Sequence, residues 1–258
     1  MGWIYLKRRY KLLIGFIITG IILVVIFFIT KDRKVYYLSL GDSLAVGQMP
    51  DNSLKKSYGD YIKDYLEDRN ILEFYTKVFA KNGYRSTDLL NDVNNNKKIK
   101  EGKKEISIKN ALIKADIVTV SIGGNDLLYK LNLSSSIDIT EFDDIYSYVD
   151  EVIGDINKLL FELRKNCKEQ IIVLGLYNPF TSFSPKLANT VEPVLSYANL
   201  KIQDLTKKYD MTFVDMHDMF LANPSYLPTY LEIHPTASGY RAMSKKIISA
   251  IDKKTLAK

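Results

Sequence analysis

The 258-residue sequence predicts an α/β protein: a three-layer α/β/α sandwich with a mostly parallel central sheet, preceded by one N-terminal transmembrane helix. Three observations predict it. Short apolar runs rich in Val and Ile recur along the chain, continuous rather than alternating, as in strands buried on both faces of a parallel sheet. Amphipathic stretches of helical period separate them, which implies βαβ crossovers. Ahead of both stands "LLIGFIITGIILVVIFFI" (12–29), which contains no charge.

That first run is long enough to matter. Spanning a bilayer takes roughly 20 apolar residues, and Thr30 rounds the segment out. A secretory signal would have a shorter apolar core and a small-residue cleavage site; "TKDRKVYY" (30–37) offers none. The reading is an uncleaved signal anchor at 12–30 behind a short basic segment at 1–11. Lys7, Arg8, Arg9 and Lys11 outnumber Lys31, Arg33 and Lys34 on the far side. The positive-inside tendency therefore keeps the N-terminus cytoplasmic and leaves residues 31–258 extracytoplasmic, attached to the membrane through the helix. The basic segment also holds four of the six net positive charges. The remaining field is too weak for a nucleic-acid partner, which needs a basic patch on the domain itself.

Beyond the anchor the strands read "VYYLSL" (35–40), a weaker "EFYTKVFA" (73–80), "ADIVTVSI" (115–122), "QIIVLGL" (170–176) and "MTFVDM" (211–216). Helical stretches lie at 58–68, 141–166, 193–209 and 238–254. Together they predict one domain from about Val35 to Lys258. The polar, basic run "NNNKKIKEGKKEISIK" (94–109) reads as a solvated loop leading into a helix face. Cys167 is the only cysteine, so the domain has no internal disulfide, and it reads as a small buried hydrophobe. With only His217 and His234 in the chain, a multi-histidine metal site is excluded, and no cofactor is expected.

In open parallel sheets, reactive groups gather at the C-terminal ends of the strands. Three segments fall there: Gly41-Asp42-Ser43 after the first strand, "SIGGNDLL" (121–128) after the third, and "IHPTASGY" (233–240) opening the last helix. Each has a plain structural reading. Ser43 can be a turn residue, Asn125 a helix cap, His234 an exposed loop residue and Thr236 a cap. Acyl transfer gives them a joint purpose. A serine hydroxyl needs a base, for which His is suited near neutrality, and an oxyanion needs donors such as an Asn amide or backbone N–H groups.

With these residues the chain resembles the SGNH-hydrolase superfamily, also called GDSL esterases/lipases, from about Tyr37 to Ile251. The resemblance implies a flavodoxin-like sheet and makes Ser43 of Gly41-Asp42-Ser43-Leu44 the nucleophile, its N–H also an oxyanion donor. Gly83 in "AKNGYRSTDLL" (80–90) would add a backbone N–H, and Asn125 of Gly123-Gly124-Asn125-Asp126 its side-chain amide. His234, followed by Pro235, is the implied general base. Asp42 resembles a structural motif residue, not the triad acid. The nucleophile elbow of α/β-hydrolases reads otherwise, since Ala45 stands where that motif has Gly.

One position departs from the pattern. Family members commonly carry an Asp three residues before the histidine, to fix its tautomer; here that residue is Leu231. Glu232, two residues before His234, is the nearest acid, with a backbone carbonyl as the alternative and Asp215 and Asp218 as distant ones. The expected function is a membrane-anchored serine ester hydrolase acting on a lipid, a small acyl ester or an acetylated glycan. An O-acyltransferase on surface glycans would use the same residues, and a non-catalytic binding module is the third reading.

Overall fold

The apolar runs form the sheet of the computed structural model, which describes residues 34–102, 104–130, 145–182, 184–230 and 232–257. In chain order the elements are β1 (Val35–Gly41), α1 (Ser43–Val46), α2 (Tyr58–Asp68), β2 (Leu72–Thr76), α3 (Ser86–Asn94), β3 (Lys98–Glu101), β4 (Lys104–Ser107), α4 (Ile108–Lys114), β5 (Ile117–Ser121), α5 (Gly124–Lys130), α6 (Ile145–Asn166), β6 (Gln170–Leu174), α7 (Pro185–Lys208), β7 (Thr212–Val214), α8 (His217–Ala222), α9 (Ala237–Ser249) and α10 (Lys253–Leu256).

Five strands pair in the order β2-β1-β5-β6-β7, all parallel. The order is flavodoxin-like, and the chain reverses its direction of travel across the sheet between β1 and β5. Such a switch point opens a crevice at the strand C-termini, because the connections leave toward opposite faces. Gly41 pairs with Ser121 at that end. The segments after β1 and β5 are thus neighbours by topology.

Burial explains why the strand runs are continuous. Leu38, Leu40, Val118, Val120, Ile171 and Val173 pack on one face with the inner stripe of α6 (Val149, Val152, Ile156, Leu159, Leu160, Leu163). Val35, Tyr37, Ile117, Ile172 and Val214 fill the other face with Ile62 and Leu66 of α2 and Met243 and Ile247 of α9. Residues of alternate parity serve opposite layers, so the central strands β1, β5 and β6 are apolar on both faces along most of their length. Cys167 belongs to the first layer, fully buried. Ser57 starts α2 with a capping box, its hydroxyl accepting from Asp60 N while the Asp60 carboxylate accepts from Ser57 N.

Two expectations are corrected. The basic run at 94–109 is not a loop: it contains the antiparallel pair β3–β4 and the start of α4. Ile99 and Ile106 face each other across that pair and pack on the core, an alternation hidden among lysines. The helix expected at 193–209 starts at Pro185, where Ser184 caps it and proline is tolerated in the first turn. Pro193 lies inside it. The anchor expected at 12–30, the segment at 1–11 and Leu231 lie outside the described residues, as do residues 141–144 of the expected long helix. Among the described residues no helix is long and apolar enough to cross a membrane.

Candidate active site

The site is built from the switch point outward. Gly41 ends β1 with φ +129°, and a Cβ there would lie 1.9 Å from the Ser121 carbonyl oxygen. Only glycine lets β1 turn this close to β5. Asp42 follows, its N–H donating to Ser121 O (3.0 Å). Its carboxyl accepts from Leu44 N (3.0 Å) and from the Ser121 hydroxyl (2.9 Å), capping the one-turn helix that begins at Ser43. Burial pushes the Asp42 carboxyl up to about 7, against the pull of the Leu44 N–H and the Ser121 hydroxyl. Asp42 thus fixes the turn and does not touch His234.

Ser43 is nearly buried, and its Oγ lies 2.8 Å from His234 Nε2. These residues are 191 positions apart in sequence. On the other edge of the imidazole, Nδ1 lies 2.6 Å from Glu232 Oε1. The same oxygen accepts from Ile233 N (2.7 Å) and His234 N (3.1 Å). A carboxylate oxygen only accepts, so the proton of the neutral ring sits on Nδ1 and Nε2 faces the serine as acceptor. Asp215 and Asp218 serve the other histidine instead: Asp215 accepts from His217 N (2.8 Å) and Asp218 Oδ1 lies 3.2 Å from His217 Nδ1.

The remaining predicted residues lie beside this relay. Asn125 does not cap a helix. It sits in the first turn of α5, and its amide nitrogen donates to Tyr84 O (3.0 Å). One residue on, the Asp126 carboxylate accepts from Ser86 N (3.0 and 3.1 Å) and from the Ser86 hydroxyl. These bonds pin the loop at 80–86 to the end of β5. Lys81 N also donates to Gly41 O (3.0 Å), joining that loop to β1. Gly83 lies on it, exposed, with φ +75° and open space where a Cβ would stand. Thr236 does cap α9, its hydroxyl accepting from Gly239 N.

Sequence reasoning missed two features. Tyr177, just beyond β6, is half-buried and stacks on Phe220 (4.1 Å between ring centroids). Its hydroxyl donates to Ile233 O (2.5 Å), holding the peptide next to His234. The strand-end rule that found Ser43 and Asn125 also points to it. The second feature is a cleft of about 900 Å³, open mouth included, reaching from Ser43, Asn125 and His234 between α5 and α7. Leu127, Leu128, Leu176, Phe180, Val194 and Leu195 line it. Among the described residues no cluster of His, Cys, Asp or Glu is suited to a metal ion.

A hydroxyl, an imidazole and a carboxylate in hydrogen-bonded series at the rim of a parallel sheet make up the kind of centre found in serine-type hydrolases. A model of the GDSL-like lipase/acylhydrolase family matches residues 39–242, and the chain belongs to that family of carboxylic ester hydrolases. The spore germination lipase LipC of Bacillus licheniformis is 26% identical over 217 residues, 83% of this chain and 95% of that protein. YpmR of Bacillus subtilis is 27% identical over 234 residues, 89% of this chain and 86% of that protein. Among solved structures, the lipase Lip_vut3 from a goat rumen metagenome superposes with a TM-score of 0.64 at 26% identity, covering 84% of this chain and 97% of that one. Axe2, an acetylxylan esterase from Geobacillus stearothermophilus, shares the fold at 16% identity, with a TM-score of 0.59 over 85% of this chain and 95% of that one.

Proposed function

We propose that this enzyme hydrolyses esters of fatty acyl chains, with Ser43 as nucleophile, His234 as general base and Glu232 as the group that orients the imidazole. The carrying observation is the Ser43–His234–Glu232 series opening directly onto an apolar cleft. The serine proton passes to Nε2 as Oγ attacks the carbonyl carbon, and the imidazolium that forms is stabilised by Glu232. His234 then protonates the departing alcohol, and water, activated by the same base, releases the acid from the acyl-enzyme. The Asn125 amide nitrogen has two N–H groups; one holds Tyr84 O and the other serves the oxyanion, with Ser43 N–H and Gly83 N–H.

The cleft favours an acyl chain over an acetyl group. Its walls are built of leucine, valine and phenylalanine side chains, and an acetyl methyl would leave most of that apolar lining unused. Each buried CH₂ contributes about 0.8 kcal/mol, roughly a fourfold gain. Kinetics on p-nitrophenyl acetate, butanoate, hexanoate and octanoate test this. kcat/KM is expected to rise about tenfold or more between acetate and the best longer ester; acetate as the best substrate would contradict it.

The localisation read from the sequence is part of the same proposal: a single-pass membrane protein whose catalytic domain faces outward. It is supported by the uncharged run at 12–29 and the cations flanking it. The full chain should remain in the membrane fraction after a carbonate wash, and protease added to intact cells should digest the domain. A domain protected until the membrane is broken would invert the orientation. A trimmed form free in the medium would make the run a cleaved signal.

A further inference from the structure

One wall of the cleft is α7, which lines it with Val191, Val194 and Leu195. Between the first two of these, the helix carries Glu192 and Pro193. Pro193 has no N–H for the carbonyl one turn back, so the helix is weakened at the level of the wall. Glu192 is tied to two other elements. Its Oε2 accepts from the Asn178 side-chain amide (3.0 Å), and its Oε1 lies 2.6 Å from His217 Nε2. Asn178 is itself buried, donates to Ala188 O (2.9 Å) and accepts from Phe180 N (3.1 Å). Glu192 therefore joins the loop after β6, which carries Tyr177 and Phe180 of the cleft, to α7 and to α8.

The contact with His217 is close enough for an ion pair but out of line for a hydrogen bond, so its strength comes from charge. Three carboxylates face this ring: Glu192 from α7, Asp218 from α8 and Asp215 from the turn after β7. Burial works against the imidazolium, but the contacts with Glu192 and Asp218 outweigh it and hold the His217 pKa above its ordinary value. Burial likewise disfavours a charged Glu192, yet Asn178 and His217 hold its carboxyl below the usual range. An open hollow lined by Leu200, Gln203, Phe213, Asp215 and Asp218 lies along the ring and gives solvent protons a route to it.

We propose that Asn178, Glu192 and His217 form a charge-dependent clamp that holds the α7 wall of the cleft in place and so determines how strongly long acyl chains are preferred. The inference rests on the reading of the cleft as the acyl site. His217 touches no substrate; it is a positioning residue. A fixed wall receives a long chain without being ordered first, whereas a released wall must be ordered at the expense of binding. Short acyl groups do not reach the wall and are indifferent to it. Because the imidazole pKa is raised, the clamp is fully charged below the ordinary value of 6.5 and is lost as pH rises through the higher one.

The test is the ratio of kcat/KM for p-nitrophenyl octanoate to that for the acetate, measured on the full chain in detergent from pH 6 to 9. The pH dependence of the shared chemical step is common to both esters and cancels. The ratio is expected to fall on the order of threefold to tenfold with rising pH, along the titration of His217 followed by NMR of its ring. The chain has only two histidines, so a His217→Gln variant assigns that signal. In that variant the ratio should be low and independent of pH with acetate turnover unchanged, whereas His217→Lys, permanently charged, should keep it high and flat. A high wild-type ratio that ignores pH overturns the clamp alone, and needs no variant to show it. A ratio near one at every pH overturns the reading of the cleft and the clamp with it.

Discussion

Ser43→Ala is expected to abolish ester hydrolysis, with kcat/KM falling by about three orders of magnitude or more, and to eliminate labelling by a fluorophosphonate probe. The hydroxyl's side-chain hydrogen bond is to His234 Nε2, the base it needs, whereas the Ser121 hydroxyl that also lines the cleft donates to Asp42. What remains after its loss is the oxyanion donors and the cleft, which bind substrate but form no acyl-enzyme. The fold should be untouched. The Ser43 carbonyl accepts from Gly47 N and Gln48 N, Asp42 accepts from Leu44 N, and none of these bonds uses the Ser43 side chain. Alanine also favours the helical turn it would enter. An unchanged melting temperature with activity gone is the expected pair of observations. A folded Ser43→Ala protein with wild-type turnover would overturn the mechanism entirely.

The position of that serine explains why so much of the protein is legible from sequence. Continuous apolar strands announce a parallel sheet because both faces are covered, and its reactive ends follow from topology. Ser43 and Asn125 are legible from sequence alone because they follow β1 and β5, the two strands flanking the switch point. What stayed hidden lacks a local signature. Val191, Val194 and Leu195 have the same helical spacing whether they face a core or a cleft, so no pattern in α7 marks a binding wall. The β3–β4 pair was concealed because Ile99 and Ile106 are set among lysines, and the run read as solvated. The start of α7 was missed because Pro193 looks like a helix beginning, although the helix runs through it from Pro185. Asn178, Glu192 and His217 come from three segments that only the fold brings together.

The bond pattern around Glu232 makes its substitution the most informative test of the His234 centre. A carboxylate two residues before the histidine, rather than three, must reach Nδ1 through its own backbone turn. It does so with one oxygen that accepts from Ile233 N, His234 N and His234 Nδ1 together. That convergence is the geometry by which a longer side chain would stand in for the shorter one commonly placed a residue earlier. Glu232→Gln keeps the size and leaves an amide oxygen able to accept the two backbone bonds, so the loop should hold its course. It removes the negative charge that stabilises the imidazolium, and its amide N–H₂ can turn toward Nδ1 and enforce the wrong tautomer. Both effects act as the proton leaves Ser43, not when substrate binds. The expected result is a fall in kcat on the order of 10²-fold or more with KM little changed. Fluorophosphonate labelling should slow in parallel, because it uses the same activated hydroxyl. Glu232→Ala is the poorer test, since it also frees the Ile233 and His234 N–H groups. If Glu232→Gln leaves kcat within about twofold, the 2.6 Å contact with Nδ1 is structural, and the orientation of His234 must come instead from the peptide that Tyr177 holds at Ile233 O.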